Sequence, residues 1–480
     1  MLSGIAGAAL SGTPTNAALP SANPGQAITL TGAGLSTSTG IIGTYTGSDG
    51  IVRSVLLRAT TASADGTIAT LIVPNYFNGV TTLSVLGSSA SQTLQIVPTL
   101  TSYNVNSVNS LNLYGTGLQE GSATNTVTYN FAGGSVSDTA ANSGPDVQNN
   151  VSGSDNTFVT LTEPVHGFGT VTTTTAGGTS APLVLNEFET GLGLIRGIAI
   201  DPANPTHLWV ADNANPAKIH LIDTTTGQPV TATAQQVNAI PITNVSGATN
   251  SLGSTSFFGS IQIIPADFNL SFTPVPAGSL LVFYGPSNPD YVVALDPATG
   301  TVISSLQLAG NYDNTAGIYD PSTGELFVVD RNHSGGNRIV AIDPVGGTED
   351  PNFTFAAPFN LGDGGLALDP ATSGPNAGTF WLSSDQTGDI VQVTNTGTVL
   401  RHLTVGLQAP GSIGNSGIVF DAAGNLLVST NQGVVLKLNV NADYATTRPT
   451  LTAINATATN GTAANAAIPS ADAGQVITLT

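Results

Sequence analysis

The feature that most constrains this chain is internal repetition. Residues 451–480 match residues 2–31 without a gap at an offset of 449, and 17 of the 30 positions are identical. Self-similarity over such a distance is typical of chains assembled from repeated modules. We therefore expect the chain to begin a second copy of its first module after about residue 449.

A second repeat lies in the first 185 residues. The segment Ile28–Leu35 recurs as Leu111–Leu118, and Ile68–Val80 recurs as Phe158–Thr170. Apolar and polar residues alternate in these segments, β-branched residues are frequent, and turn residues separate them at intervals of about 8–12 residues. This pattern predicts two β-sandwiches of about 85–95 residues each.

The two predicted sandwiches cover residues 1–97 and 98–185, with a polar insertion from Ala132 to Gly153 in the second. Each combines a strand followed by Gly-x-Gly-Leu with a later strand-Pro-x-x-x-x-Gly-strand element. These two elements resemble the immunoglobulin-like domains of the IPT/TIG family. The resemblance implies Ig-like folds that serve as spacers or interaction modules in extracellular proteins.

A third repeat covers residues 187–445. Its five units start at intervals of 63, 57, 48 and 52 residues, and each start is followed by two further apolar strands and often by a variable fourth. Four-stranded units at this spacing predict a β-propeller. The starting segments are Gly197-Ile-Ala-Ile-Asp-Pro202, Ser260-Ile-Gln-Ile-Ile-Pro265, Gly317-Ile-Tyr-Asp-Pro321, Gly365-Leu-Ala-Leu-Asp-Pro370 and Gly417-Ile-Val-Phe-Asp421.

These units resemble blades of the NHL and YVTN type. We count five blades and keep six as the alternative, because Gln235–Phe258 is long enough to contain a degenerate one. The pattern does not indicate which end of the propeller segment closes the ring. The predicted fold is all-β, with two sandwiches, one propeller and then the first strands of another sandwich over residues 449–480.

The segment 449–480 has two interpretations. It begins a further Ig-like repeat that is incomplete here, or it donates strands to a sandwich of a neighbouring subunit. Two strands cannot bury the apolar faces of a sandwich by themselves. Both interpretations predict that neighbouring copies of the chain associate in an array or filament.

Composition excludes several classes of function. Only 8% of the residues are charged, Lys and Arg total 9 against 29 Asp and Glu, and the net charge is −20. Nucleic acids and anionic membranes need basic surfaces, so neither is an expected partner. No apolar run is long enough for a spanning helix, and the first ten residues, which contain no basic residue, do not resemble a signal peptide. Cysteine is absent, which excludes disulfides and thiolate ligands.

Catalytic motifs are not found in the sequence. The five histidines show no metal-ligand spacing, no serine stands in a nucleophile elbow, and the Gly-x-Gly segments are not followed by a helix. We therefore predict no catalytic, cofactor-binding or metal-binding residues and no enzymatic activity. The histidines are His166, His207, His220, His333 and His402.

Aspartates recur at corresponding positions of the propeller units. An Asp before Pro or x-Gly is common in turns, where its carboxylate accepts a hydrogen bond from a nearby backbone N–H. We interpret them as turn residues, with calcium left open near Asp313–Asn314 and Asp363. They follow the first strand (Asp201, Asp320, Asp369, Asp421), the second (Asp212, Asp330, Asp385) or the third (Asp223, Asp296, Asp343).

These features predict a structural repeat unit of a secreted fibre, matrix or cell-surface array of bacterial type. The alternative is an adhesin whose propeller binds a glycan or a surface protein, with the sandwiches as its stalk. Trp209, Trp381 and Tyr291 would offer stacking surfaces for such a ligand, although both tryptophans stand in the middle of predicted strands and are better explained as core. The predicted location is extracellular or at the cell surface.

Overall fold

A computed structural model describes most of the chain up to residue 440 and four short segments beyond it. Among these residues all regular secondary structure is β-strand, so the predicted all-β fold is confirmed. No helix in the described part is long and apolar enough to cross a membrane. The described ranges are 1–47, 50–107, 110–120, 124–141, 157–162, 164–193, 195–212, 218–230, 239–241, 258–284, 290–314, 316–331, 334, 336–386, 388–404, 414–440, 454–455, 458, 469–471 and 478–479.

The first 97 residues form two sheets that enclose one apolar core. One sheet has the order β1-β4-β8-β7 and the other β3-β10-β9-β5-β6. Their alternating residues meet in a core that includes Leu30, Ile41 and Leu94, all fully buried. The strands are β1 Leu2–Ala6, β2 Thr13–Pro14, β3 Ser21–Ala22, β4 Ala27–Gly32, β5 Gly40–Thr46, β6 Val52–Arg58, β7 Thr61–Ala62, β8 Ile68–Ile72, β9 Val80–Val85 and β10 Ser91–Ile96.

Residues 99–185 form a second pair of sheets, with the orders β11-β12-β15 and β14-β13-β16-β17, and β18 also pairs with β16. The predicted polar insertion is wrong for its first half, because Gly134–Ala141 pairs along its whole length with β13. Residues 142–153 lie outside the described part. The strands are β11 Thr99–Ser107, β12 Ser110–Thr116, β13 Thr124–Phe131, β14 Gly134–Ala141, β15 Thr157–Thr162, β16 Gly169–Thr175, β17 Gly178–Thr179 and β18 Leu183–Leu185.

Five four-stranded sheets are described between residues 187 and 438. We number them as propeller sheets 1 to 5 in the order of their first strands. Their strands are β19 Glu187–Glu189, β20 Ile195–Ile200, β21 His207–Asp212, β22 Lys218–Asp223, β23 Ala239–Pro241, β24 Phe258–Ile263, β25 Phe268–Leu270, β26 Thr273–Val275, β27 Leu280–Tyr284, β28 Tyr291–Leu295, β29 Val302–Gln307, β30 Gly317–Asp320, β31 Glu325–Asp330, β32 Arg338–Ile342, β33 Glu349–Ala356, β34 Leu366–Leu368, β35 Phe380–Ser383, β36 Asp389–Val393, β37 Val399–Thr404, β38 Asn415–Phe420, β39 Leu426–Thr430 and β40 Val434–Leu438.

The five sheets form a closed ring. Their first strands contact one another in the order β20, β24, β30, β34, β38 and back to β20. The fourth strand of sheet 5 is β19, which comes from the start of the segment and pairs antiparallel with β40. The amino-terminal strand therefore closes the ring, a point that the sequence left open.

The glycine that begins most units is required by the packing at the centre of the ring. A Cβ on Gly197 would lie 2.7 Å from the backbone N of Ile261, and one on Gly417 would lie 2.8 Å from the Cα of Gly197. A Cβ on Gly365 would likewise meet the backbone of Ser416. The backbones of neighbouring first strands can approach this closely only where no side chain lies between them, and glycine meets this requirement.

Sheet 2 has a serine at this position, and there the side chain makes the contact. Ser260 Oγ donates to the carbonyl of Gly317 at 2.7 Å and accepts from its N–H at 2.6 Å. Two residues on, the Gln262 amide accepts from the N–H of Tyr319 and donates to its carbonyl. The side chains of sheet 2 thus pair with the open edge of the first strand of sheet 3.

Residues 439–480 form a separate unit. Its β41 (Ile454–Asn455) pairs antiparallel with β42 (Thr478–Leu479), with Ile454 opposite Leu479 and Asn455 opposite Thr478. In the first sandwich the positions 449 residues earlier, Ile5 opposite Leu30 and Ala6 opposite Thr29, are paired in the same way. The sequence repeat is therefore also a repeat of strand register.

Replacement of Gly417 by Ala should destabilise the protein by about 3 kcal/mol, at the upper end of what overpacking costs, because backbone atoms of sheet 1 would have to move. Gly193→Ala is the matched control, since nothing lies within 4 Å of a Cβ there and its φ is not positive. Urea unfolding monitored by tryptophan fluorescence measures both. Equal stability of the two variants would contradict this account of the ring.

Candidate functional site

Arg196 stands at the end of the ring where the first strands begin. It is the extra residue of a β-bulge, because the pairing of β20 with β21 shifts between Ile195 and Gly197. A bulge redirects a side chain out of the regular alternation of a strand. Arg196 is only 8% exposed, so its guanidinium is directed into the protein.

The guanidinium of Arg196 reaches two carboxylates of sheet 4. Its Nη2 lies 2.9 Å from Asp363 Oδ2, and its Nη1 donates to Asp385 Oδ2 at 3.1 Å. Sheets 1 and 4 are not neighbours, since sheet 5 lies between them in the ring. Arg196 therefore crosses the mouth of the ring and links opposite sides of it.

Arg331, which follows the second strand of sheet 3, extends this network. Its Nη1 donates to Asp363 Oδ1, and its Nε lies 3.8 Å from Asp313 Oδ2. Burial raises the pKa of Asp363, and the two guanidinium groups oppose that shift. We call Arg196, Arg331, Asp313, Asp363 and Asp385 the arginine–aspartate network. Its Arg331 and Asp313 side chains are about one-third exposed and form its outer edge.

Glycines make room for Asp385 in this network. A Cβ on Gly362 would collide with the Asp385 carboxylate, and one on Gly414 would collide with its backbone. The carboxylate also accepts from the N–H of Asp363 at 2.9 Å. The loops before the first strands of sheets 4 and 5 are thus fitted around one aspartate.

A buried polar loop adjoins the network. The fully buried carboxylate of Asp290 accepts a 2.6 Å hydrogen bond from the N–H of Tyr312. Asp313 has a φ of 51°, an uncommon left-handed conformation for a residue other than glycine. The Asn314 amide is 1% exposed and has no hydrogen-bond partner among the described residues. Backbone strain beside an unsatisfied buried amide is typical of functional loops.

The structure separates the recurring aspartates into two classes. Those after first and third strands accept from the N–H two residues on, as the turn interpretation predicts; examples are Asp201 with Ala203 and Asp296 with Ala298. Those after second strands lie at the opposite ends of their sheets and pair with side chains. Asp330 binds Arg338 at 2.7 Å and Asp385 binds Arg196, so a turn role alone does not account for these two aspartates.

The residues left open for calcium face arginines instead. Asp313 and Asp363 both pair with Arg331, which already provides the positive charge that a cation would supply. Among the described residues, no three His, Asp or Glu side chains are grouped so that they could hold a metal ion. Among the described residues, the Asn314 amide and Asp290 Oδ1 are buried there without a hydrogen-bond partner.

The other candidate residues are dispersed. Trp209 is buried in the core of sheets 1 and 2. Trp381 is fully buried and donates to Asp369 Oδ2 at 2.9 Å. The ring of His166 stacks on Tyr129 in the second sandwich, and His402 pairs with Asp389 at 2.8 Å on the surface. His207 bonds Asn204, His220 lies 3.5 Å from Asp212, and His333 lies outside the described residues.

Sequence reasoning missed Arg196, Arg331 and the role of Asp385. A signal was present, because two of the seven arginines in this arginine-poor chain stand next to recurring positions of the propeller units. Arg196 directly precedes the glycine of its unit, and Arg331 directly follows an aspartate of the recurring set. Which of these residues meet depends on the ring, and sequence spacing does not reveal it.

Comparison with known proteins bears on the fold. No protein-family profile matches the sequence, and a search of curated proteins finds no relative. Solved structures that are similar include a glutaminyl cyclase from Myxococcus xanthus (11% identity, TM-score 0.35, 54% of this chain and 95% of that chain), a streptogramin B lyase (13%, 0.31, 71% and 97%) and the Dos1 propeller (13%, 0.28, 55% and 61%).

The closed ring of four-stranded sheets between residues 187 and 438 is a β-propeller. The prediction that this chain is not an enzyme is contradicted, because two of these three similar structures are described as enzymes. At these low identities and TM-scores, the similarity assigns no reaction to this chain.

Replacement of Arg196 by Met should cost about 3–5 kcal/mol, as expected when one partner of a buried ion pair is removed and its carboxylates stay behind. The double variant Arg196→Met with Asp385→Leu should recover part of that loss, since fewer charges stay unpaired. Arg331→Met is the matched comparison and should cost less, because Arg331 is one-third exposed. Urea unfolding measures all three, and an unchanged stability of Arg196→Met would contradict the role of the network.

Proposed function

We propose that this chain is a repeat unit of an extracellular fibre or surface array built from β modules. In this proposal residues 1–97 and 98–185 are immunoglobulin-like modules of the IPT/TIG type, residues 187–445 are the propeller, and residues 449–480 begin a further Ig-like module. The observation that carries it is the shared strand register of β1–β4 and β41–β42. Its expected partners are neighbouring copies of the chain.

A side-chain contact strengthens the equivalence of the two ends. The N–H of Ala9 donates to Ser21 Oγ at 3.1 Å, and 449 residues later the N–H of Ala458 donates to Ser470 Oγ at 3.2 Å. In the first sandwich β4 also pairs with β8, which in turn pairs with β7 at the edge of the sheet. In this proposal a module of the same design therefore precedes the propeller in the chain and another follows it.

The two sandwiches are joined by direct pairing. β2 of the first sandwich extends a sheet of the second, with Thr13 opposite Thr179 and Pro14 opposite Gly178. Close by, Thr15 Oγ1 donates to the carbonyl of Ala176 at 3.0 Å. A strand shared between two modules resists bending, which suits a stalk or fibre.

The second sandwich is fixed to the propeller in a similar way. Phe168 packs edge-to-face on Phe188 of the ring-closing strand β19, with ring centroids 4.8 Å apart. The N–H of Phe168 donates to the carbonyl of Thr224 at 3.0 Å, and the N–H of Asn186 donates to Tyr103 Oη at 3.0 Å. Residues 1–438 accordingly form one compact unit.

The surface composition suits an exposed location. Only two lysines and seven arginines occur in 480 residues, so few sites are open to proteases that cut after basic residues. The net charge of −20 keeps such a chain soluble. These properties support an extracellular or cell-surface location for the array.

A second candidate is a propeller that binds a ligand at the mouth of the ring, with the sandwiches as its stalk. The observation that favours it is the unpartnered, buried Asn314 amide beside the arginine–aspartate network. The exposed edges of Arg331 and Asp313 offer charged donors and acceptors for a glycan or a protein surface. Convergent polar groups at the mouth of a ring are typical of ligand sites.

Electron microscopy of the protein isolated from its source distinguishes the two candidates. An array should appear as filaments whose period corresponds to two sandwiches and one propeller. Separate particles that bind immobilised glycans, and that lose this binding in Arg331→Met, would contradict the array and support the second candidate.

The equivalence of the two ends predicts the behaviour of a chimera. When residues 450–480 replace residues 1–31 in the full chain, the first sandwich should still fold, with some loss of stability because Ala453 and Ala456 take the places of Gly4 and Gly7, where a Cβ is tightly packed. Leu479 would then take the place of Leu30, which is fully buried. The same chimera with Leu479→Asp should lose the first sandwich. A chimera that melts like the Leu479→Asp control would overturn the shared design.

The stability of the protein should depend on pH through Glu189 of the ring-closing strand β19. Glu189 is buried; its Oε1 accepts from the N–H of Gly191 at 2.8 Å, and its Oε2 has no hydrogen-bond partner in the described part of the chain. Burial raises its pKa from 4.5 to about 7. Between these values the unfolded chain releases a proton that the folded chain retains, so stability should fall as pH rises from about 4.5 to about 7.

Glu189→Gln should flatten this part of the stability profile. Asp65→Asn is the control, because Asp65 lies in an exposed turn where hydrogen bonds from Ser63 and Thr67 lower its pKa. That variant should keep the fall between pH 4.5 and 7. Urea unfolding at a series of pH values measures both, and an equal slope in Glu189→Gln and wild type would contradict the assignment.

A further inference from the structure

The end of the ring opposite the arginine–aspartate network contains a cavity of about 780 Å³. It is lined by residues from the first strands of all five propeller sheets, at the positions that follow the central glycines or, in sheet 2, Ser260. Those positions include Ile198, Ile261, Ile318, Leu366 and Ile418. The cavity therefore lies on the axis of the ring, and its size is that of a small-molecule site.

The cavity ends where the first strands touch. Neither Gly197, Gly365 nor Gly417 lines it, and no residue of the network does. Backbone atoms of neighbouring sheets approach closely at those glycines, and Arg196 crosses the ring beyond them. The pocket is therefore closed at the end where the central glycines meet, and it opens at the end of the ring that is opposite the arginine–aspartate network.

The lining provides few free hydrogen-bonding groups for a polar ligand. Its residues are aliphatic, alanine, glycine, proline and one phenylalanine, apart from Gln262 and Asp421. The amide of Gln262 is already bonded to the backbone of Tyr319, and the carboxylate of Asp421 is bonded to Asn425 and lies 3.3 Å from Lys437 Nζ.

The rim reinforces this apolar character. Pro202, Pro265 and Pro370 stand where the first strands end, and proline has no N–H to donate. No basic residue lines the cavity, and the chain carries a net charge of −20. An anionic ligand would therefore meet an unfavourable field without a cation to bind.

We propose that this axial cavity binds an uncharged, apolar small molecule. Removal of apolar surface from water supplies the affinity, because the polar side chains of the lining are already paired. Selectivity against anions follows from the missing basic side chains and the negative net charge. This site is independent of the array and of the network at the other mouth.

Two fluorescent probes that share one skeleton test the proposal on the full chain. N-phenyl-1-naphthylamine is uncharged, and 8-anilinonaphthalene-1-sulfonate carries an added sulfonate. The uncharged probe should bind saturably with one molecule per chain and be displaced by 1-decanol. The sulfonated probe should bind at least tenfold more weakly. Absence of saturable binding by the uncharged probe, or equal affinity for both probes, would overturn the proposal.

Variants at the rim locate the site. Ala422 and Ala277 line the cavity on sheets 5 and 2 and are exposed, so Ala422→Trp and Ala277→Trp should obstruct the entrance without disturbing the core. Each should weaken the uncharged probe at least tenfold. Ala423→Trp is the matched control, because Ala423 is an exposed neighbour outside the lining. If both rim variants bind the uncharged probe as tightly as that control does, the probe binds outside the cavity and the axial site is refuted.

Discussion

The ring depends on backbone meeting backbone at its centre. At Gly197, Gly365 and Gly417 the first strands of neighbouring sheets lie so close that a single Cβ would strike main-chain atoms of the next strand. This contact explains why most units begin with glycine, and why the exception, Ser260, uses its hydroxyl to bind the neighbouring strand at both N–H and C=O. It also divides the axis into a charged mouth on one side and an apolar cavity on the other.

Charged residues are scarce in this chain, and some of them form ion pairs inside the ring. Arg196 joins two aspartates from the opposite side of the ring, and Arg331 joins one of them to Asp313. Buried pairs of this kind contribute little net stability relative to apolar packing, but they penalise any arrangement that separates the partners. The network therefore favours one arrangement of the sheets, as the shared strand β2 does between the sandwiches.

Much of the fold could be predicted because its signals are local. The strands of the propeller units, the turn aspartates such as Asp201, and the buried tryptophans follow from alternation and turn chemistry. The prediction failed for strands whose own sequence shows no clear alternation and which depend on pairing with a neighbouring strand. Gly134–Ala141 is polar, yet it forms a strand because β13 offers a complete edge. The hairpin of β25 and β26 was missed because each strand has three residues and lies within an insertion.

By itself, the sequence determined the all-β class, the periods of its modules and the register shared by residues 2–31 and 451–480, since strand alternation and repetition are properties of neighbouring residues. Only the tertiary structure decided that β19 closes the ring and that Arg196 meets Asp385, 189 positions away in the chain. Such contacts depend on how many sheets complete the circle and which loops then face one another across it. That geometry results from the packing of the whole ring, and no single segment encodes it.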